Sequence, residues 1–170
     1  GIGGGSICST RLVTGHGMPT LESIMECAQT GHSTKIIADG GIKTSGDIVK
    51  ALAAGADFVM VGSMLAGTEE TPGETFYSNS GKRYKVYRGM ASAEAQSDWR
   101  GKSSTPEGVA TTVAYKGEVA PILDNLLGGI RSGLSYSGVR TLKDLQIKAK
   151  FIRQTGAGQL ESSTHIMRRR

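Results

Sequence analysis

Leu21, Ile24, Met25 and Ala28 repeat at the spacing of a single helix face, with Pro19 ahead of them and Gly31 after them, and predict one amphipathic helix. The pattern then changes period. The segment KIIAD (35–39) is short, apolar and β-branched, as a buried strand requires, and runs straight into Gly40 and Gly41. Ser45 stands as a helix cap ahead of an apolar face of Ile48, Val49, Leu52 and Ala53, with Asp47 in the first turn and Gly55 as the stop. A second buried strand, DFVMV (57–61), follows at once and ends in GSMLAG. Strand, glycine turn, helix, strand, glycine turn is a parallel β/α unit, which sets the fold class as α/β.

Beyond Pro121 the residues Ile122, Leu123, Leu126, Leu127, Ile130 and Leu134 form another helical face, in which Gly128 and Gly129 allow close packing or a kink. Thr141 is placed to cap a short helix through LKDLQIKA, and FIRQT (151–155) reads as a strand. Arg131 reads as a solvated or carbonyl-pairing group.

Composition narrows the function classes. The 170 residues are 38% apolar with no run long enough to cross a bilayer and no secretory signal at Gly1, so no membrane partner is expected and a cytoplasmic setting is. The net charge of +5 owes much to Arg168, Arg169 and Arg170, and the remaining basic residues lack interleaved aromatics, so no nucleic-acid partner is expected. Two cysteines make no disulfide framework, and their spacing matches no zinc pattern. Cys27 falls beside the apolar stripe of the first helix and reads as core.

Cys8 has a different setting. It lies in GIGGGSICST (1–10), where four glycines leave room for backbone to approach a bound molecule and for a planar base to reach a thiolate. Thr10, two residues on, could exchange a proton with the reacting group or simply satisfy loop backbone. In β/α units ligands sit beyond the carboxyl ends of the strands, where the glycine clusters fall. Gly62 and Ser63 would open a short helix there and hold a phosphate on their N–H groups. Asp39, at the other strand end, suits a ribose diol. Each turn taken singly is equally an ordinary tight turn; their joint placement points to a nucleotide.

The segments GIGGGSICSTR, IIADGGIKTSGDIVKALAAGADFVMVGSMLAGTEETPGE and YKVYRGMAS, with GGIRSGLSYSG and KAKFIRQTGAG toward the end, resemble the IMP dehydrogenase and GMP reductase family. The resemblance implies a (β/α)8 TIM barrel that binds a purine nucleoside 5′-monophosphate and exchanges hydride between purine C2 and NADPH or NAD. It makes Cys8 the nucleophile of a covalent thioimidate and Thr10 its proton partner. Ser6, Gly41, Gly62 and Ser63 would hold the phosphate, Asp39 the ribose, and Tyr87, Gly89, Met90 and Glu107 the phosphate or base. As in dehydrogenase members, carbonyls of Gly3, Gly5 and Cys8 could line a potassium ion, completed by a neighbouring subunit's C-terminal segment within a homo-tetramer; here ESSTHIMRRR only partly resembles that segment.

The resemblance also bears on direction. Dehydrogenases hydrolyse the intermediate with an Arg-Tyr pair on a long flap, whereas reductases expel ammonia. Between Met90 and Glu107 the chain has only ASAEAQSDWRGKSSTP, without Arg-Tyr, which favours GMP reductase over IMP dehydrogenase. Glu94 stands about one position late for the reductase glutamate. Arg100 is the substitute base, or a solvated arginine beside a packed Trp99. A barrel takes roughly 200 residues or more, so residues 1–170 are expected to be the C-terminal part of one catalytic barrel domain, with a flap-like excursion at about 84–115 and an N-terminal remainder as partner. A non-catalytic nucleotide-binding relative and an inert fragment are the alternatives.

Overall fold

The structure, a computed structural model, describes residues 2–31 and 33–164. Gly1, the arginines at 168–170 and the end of the ESSTHIMRRR segment lie outside the described residues. Two parallel strands, β1 (Ile37–Asp39) and β2 (Phe58–Met60), pair Ile37 with Phe58, Ala38 with Val59 and Asp39 with Met60. Their entry is fixed by the Lys35–Asp57 ion pair at 2.8 Å and by Asp57 accepting the Ile36 N–H.

One face of this ribbon is covered. Ala38 turns toward a core of Ile24, Ile42, Ile48, Ala51, Leu52, Ala54, Ala56, Val139 and Leu145. These come from α2 (Thr20–Ala28), α3 (Ser45–Ala53), α6 (Leu142–Lys148) and the turns between them. The other face carries Ile37, Phe58 and Met60, each more than half exposed. A strand pair covered by helices on one side only is one sector of a barrel wall.

α3 does not start from a Ser45 cap. Thr44 is the cap: its hydroxyl accepts the Asp47 N–H, and the Asp47 carboxylate accepts the Thr44 N–H. Ser45 is instead the first helical residue, because the reciprocal Thr-x-x-Asp box satisfies two otherwise orphaned donors at once. The long helix α5 (Ala120–Tyr136) packs on α3 through glycines. A Cβ on Gly133 would lie 2.6 Å from a Val49 methyl, and one on Gly129 would collide with Ser45, while Gly128 meets nothing. Gly129 and Gly133, one turn apart, thus let the two helices approach closely.

Residues 75–114 leave the β/α pattern. They form an antiparallel sheet of β3 (Thr75–Tyr77), β4 (Arg83–Arg88) and β5 (Ala110–Ala114), with α4 (Ala93–Arg100) between β4 and β5. An Arg88–Asp98 ion pair at 2.6 Å ties α4 to β4. Lys85, buried on β4, donates to the carbonyls of Thr68, Glu69 and Thr71 and so anchors the sheet to the chain after β2. Both carboxylate oxygens of Glu70 accept the Val119 N–H at the start of α5. The FIRQT segment is not a strand: it finds no β partner among the described residues, Phe151 and Ile152 stay exposed, and Thr155 caps α7 (Gly156–Glu161) instead.

Candidate functional site

Three turns and the end of β4 meet beyond the carboxyl ends of β1 and β2. They enclose a cleft of about 110 Å³ lined by Gly4 to Ser6, Asp39 to Lys43, Met60, Gly62, Ser63 and Tyr87. Gly40, at φ +96°, is what brings the first two turns together: a Cβ there would stand 2.8 Å from the Gly4 carbonyl carbon. Across the cleft the Ser6 and Tyr87 hydroxyl oxygens are 3.4 Å apart, and a Cβ on Gly62 would lie 2.8 Å from the Tyr87 hydroxyl. Among the described residues, the N–H groups of Gly41, Gly62 and Ser63 have no protein acceptor. Unspent amides and two hydroxyls converging on one small cleft are the donor set an anion requires. Asp39 stands at its edge, exposed, in the position suited to a diol.

Gly62 and Ser63 do not open a helix. The chain after β2 makes hydrogen-bonded turns, with the Leu65 and Ala66 N–H groups sharing the Gly62 carbonyl and the Thr68 N–H reaching the Leu65 carbonyl, and does not build a regular helix. The unspent amides facing the cleft therefore come from two turns, those after β1 and after β2, without a following helix dipole.

Cys8 lies beside this cradle, two residues beyond Ser6. Its thiol donates to the Thr10 hydroxyl at 3.2 Å, and Thr10 is the first residue of the short helix α1 (Thr10–Thr14). The thiol segment is held as an added strand against the excursion: Ser9 N–H donates to the Glu107 carbonyl at 2.9 Å and Val109 N–H to the Ile7 carbonyl at 3.0 Å. Gly89 N–H reaches the Val109 carbonyl and Glu107 N–H the Ala91 carbonyl, so Gly89, Met90 and Glu107 gather at the same place. An exposed thiol next to an anion cradle can add to an electrophilic carbon of a molecule whose phosphate is held in the cleft.

Residues 1–165 match the family described as the IMP dehydrogenase / GMP reductase domain. The chain belongs to that family. It is 53% identical to an inosine-5′-monophosphate dehydrogenase of Aquifex aeolicus and 50% identical to a GMP reductase of Leishmania major, in each case over 97% of this chain and 36% of the relative. It superposes at a TM-score of 0.90 and 47% identity on a cysteine-to-alanine variant of Trypanosoma brucei GMP reductase in complex with guanosine 5′-monophosphate, covering 97% of this chain and 35% of that one. The chain thus spans a little over a third of these relatives, and the fold is the C-terminal portion of a TIM barrel. Dehydrogenases and reductases match it about equally well, which leaves the direction of reaction to the site itself.

Of the residues that the IMP dehydrogenase and GMP reductase family suggests, Ser6, Asp39, Gly41, Gly62, Ser63 and Tyr87 line one cleft, and Cys8, Thr10, Gly89, Met90 and Glu107 meet at the adjoining thiol loop. Glu94 and Arg100 form a separate pair of positions. Glu94 is exposed in the first turn of α4, and Arg100 ends the helix with its guanidinium 4.1 Å from the Trp99 ring centre. Six residues of helix place them about 9 Å apart along the axis. The Gly3 and Cys8 carbonyls accept no protein hydrogen bond among the described residues, whereas the Gly5 carbonyl accepts the Cys8 N–H at 3.2 Å.

Cys27 is not core. Position 27 lies on the flank of α2, while Ile24 alone of that helix is fully buried; its thiol is exposed in a larger hollow of about 810 Å³ near the entry ends of the strands, with Lys35, Asp57 and Gln146. Two long basic side chains serving the site went unpredicted. The Arg11 guanidinium donates to the carbonyls of Ile2 (2.9 Å) and Met18 (2.8 Å), and its stem packs across Gly3 and Gly17. The Lys116 ammonium donates to the carbonyls of Ser63 (2.8 Å) and Met64 (3.0 Å). A pairing of side chain to distant backbone leaves no periodic mark in a sequence.

Proposed function

We propose that this chain carries the nucleophile and the phosphate-binding face of an NAD(P)-dependent purine nucleotide oxidoreductase, acting as a GMP reductase. The observation that carries the reading is the Cys8 thiol bonded to the Thr10 hydroxyl beside an unspent amide cradle. The Ser6 and Tyr87 hydroxyls and the Gly41, Gly62 and Ser63 amides hold the 5′-phosphate, and Asp39 accepts from the ribose hydroxyls. Cys8 and Met90 are exposed, leaving the access that a nicotinamide ring needs. That cofactor supplies the hydride.

Phosphate and ribose contacts fix the purine so that the Cys8 sulfur faces C2. The thiol gives up its proton and a carbon–sulfur bond forms at C2. The 2-amino group, protonated with Thr10 as the adjacent hydroxyl relay, leaves as ammonia. Hydride then adds at C2, and the carbon–sulfur bond breaks to return the thiolate and release IMP. The balance is GMP, NADPH and one proton giving IMP, NADP and ammonia. No step needs an activated water, which agrees with a 90–107 segment that folds as the short helix α4 and contains no Arg-Tyr pair.

IMP dehydrogenase is the second reading. It is favoured by the Gly3 and Cys8 carbonyls, which remain available to line a monovalent cation such as potassium. Product analysis with the full-length enzyme decides between the two: IMP and ammonia from GMP and NADPH supports the reductase, whereas steady XMP formation from IMP and NAD overturns it in favour of the dehydrogenase.

A further inference from the structure

The turn 62–66 is the wall between two hollows. Ser63 and Lys43 line the phosphate cleft on one side and also a recess on the other, whose lining includes Met64, Lys116, Ile122 and Leu126. Lys116 stands in this recess directly after β5. Its ammonium spans the carbonyls of Ser63 and Met64, and its own N–H donates to the Gly67 carbonyl at 2.8 Å. Among the described residues no carboxylate pairs with it. Desolvation lowers its pKa from the ordinary lysine value, and the side chain is held by the carbonyl dipoles of Ser63 and Met64.

We propose that Lys116 is the positioning residue of the phosphate turn, clamping the Ser63 and Met64 carbonyls from behind and so holding in place the turn whose Gly62 and Ser63 N–H groups receive the 5′-phosphate of the nucleotide. The inference rests on the nucleotide reading of the cleft. Two effects follow from the geometry. Holding the Ser63 and Met64 carbonyls fixes the peptides that follow these two residues, and with them the turn that presents the Gly62 and Ser63 N–H groups. The ammonium adds a positive charge that no neighbouring carboxylate offsets, close behind an anion.

The test compares dissociation constants for GMP and for guanosine in the full-length wild-type enzyme and in K116M, K116Q and K116R. The expected result is that K116M weakens GMP binding about tenfold or more while guanosine affinity stays within about twofold. K116R, which can donate to both carbonyls, recovers most of the loss. If K116M does not fold, K116Q removes the charge at similar length and carries the same expectation. Parallel weakening of GMP and guanosine, or an unchanged ratio between them, overturns the proposal. Equal affinity of the wild-type enzyme for both ligands overturns the phosphate reading itself, an outcome that needs no variant to detect.

Discussion

Ser6 and Tyr87 are 81 residues apart in the chain, and their hydroxyl oxygens face each other at 3.4 Å across the cleft. One comes from the thiol loop and the other from the end of strand β4, so the cleft exists only while the antiparallel excursion is docked on the β/α sector. Removing either hydroxyl, by S6A or Y87F, is expected to weaken GMP about tenfold, the effect of one hydrogen bond to a charged group. Guanosine affinity is expected to stay constant. Isothermal titration of both ligands checks this, and loss of guanosine binding by the same factor would count against a phosphate contact.

Gly40 tests the close approach of the two glycine turns. G40A forces a side chain into a left-handed conformation and into the Gly4 backbone, at a cost on the order of 1–3 kcal/mol before relaxation. A lowered Tm with GMP affinity reduced further than Tm alone explains is the expected outcome. A variant as stable and as tight-binding as wild type would show that the turns are not in contact.

The Thr44–Asp47 box gives α3 a definite acid sensitivity. Partial burial works to raise the Asp47 pKa, but hydrogen bonds from the Lys50 ammonium, the Lys43 N–H and Thr44 outweigh it and hold the carboxyl below the ordinary value of 3.8. A group with a depressed folded-state pKa contributes stability above its unfolded pKa and loses it as pH falls through the folded one. D47N is therefore expected to lower Tm at neutral pH, by the equivalent of about 1 kcal/mol. The gap between variant and wild type is expected to narrow below about pH 4. A gap that widens in acid would reverse the sign of the argument.

The two thiols separate by ligand protection, since both are exposed. A small alkylating reagent is expected to modify Cys8 and Cys27 in the free enzyme, and GMP is expected to protect Cys8 alone. Peptide mass mapping reads the result. Protection of Cys27 would move the nucleotide to the other end of the strands.

The β/α sector was legible because its signals are local and periodic. The apolar spacing of Ile48 and Leu52 and the runs around Ala38 and Val59 fix α3, β1 and β2 within two residues. The site was legible for a related reason: glycines mark the backbone approaches that a nucleotide cleft needs, and Gly40 and Gly62 make those approaches. The sheet β3–β4–β5 left no such trace. Its strands are mostly exposed, as in Thr75–Tyr77, and it is anchored by single long-range contacts such as Lys85 to the 68–71 carbonyls. FIRQT failed for the opposite reason, having a strand-like composition and no strand to pair with among the described residues. Cys27 shows that a residue adjacent to an apolar stripe need not lie under it.

The central claim, that Cys8 forms a covalent bond to purine C2 on a nucleotide held by the adjoining cradle, is tested most directly by C8A in the full-length enzyme. The account predicts GMP binding within a few-fold of wild type, because the phosphate and ribose contacts survive, together with loss of turnover by several orders of magnitude. It also predicts that a purine nucleotide with a leaving group on its ring adds its mass to wild-type protein at Cys8 and to C8A at no position. Turnover of C8A near the wild-type rate would contradict it.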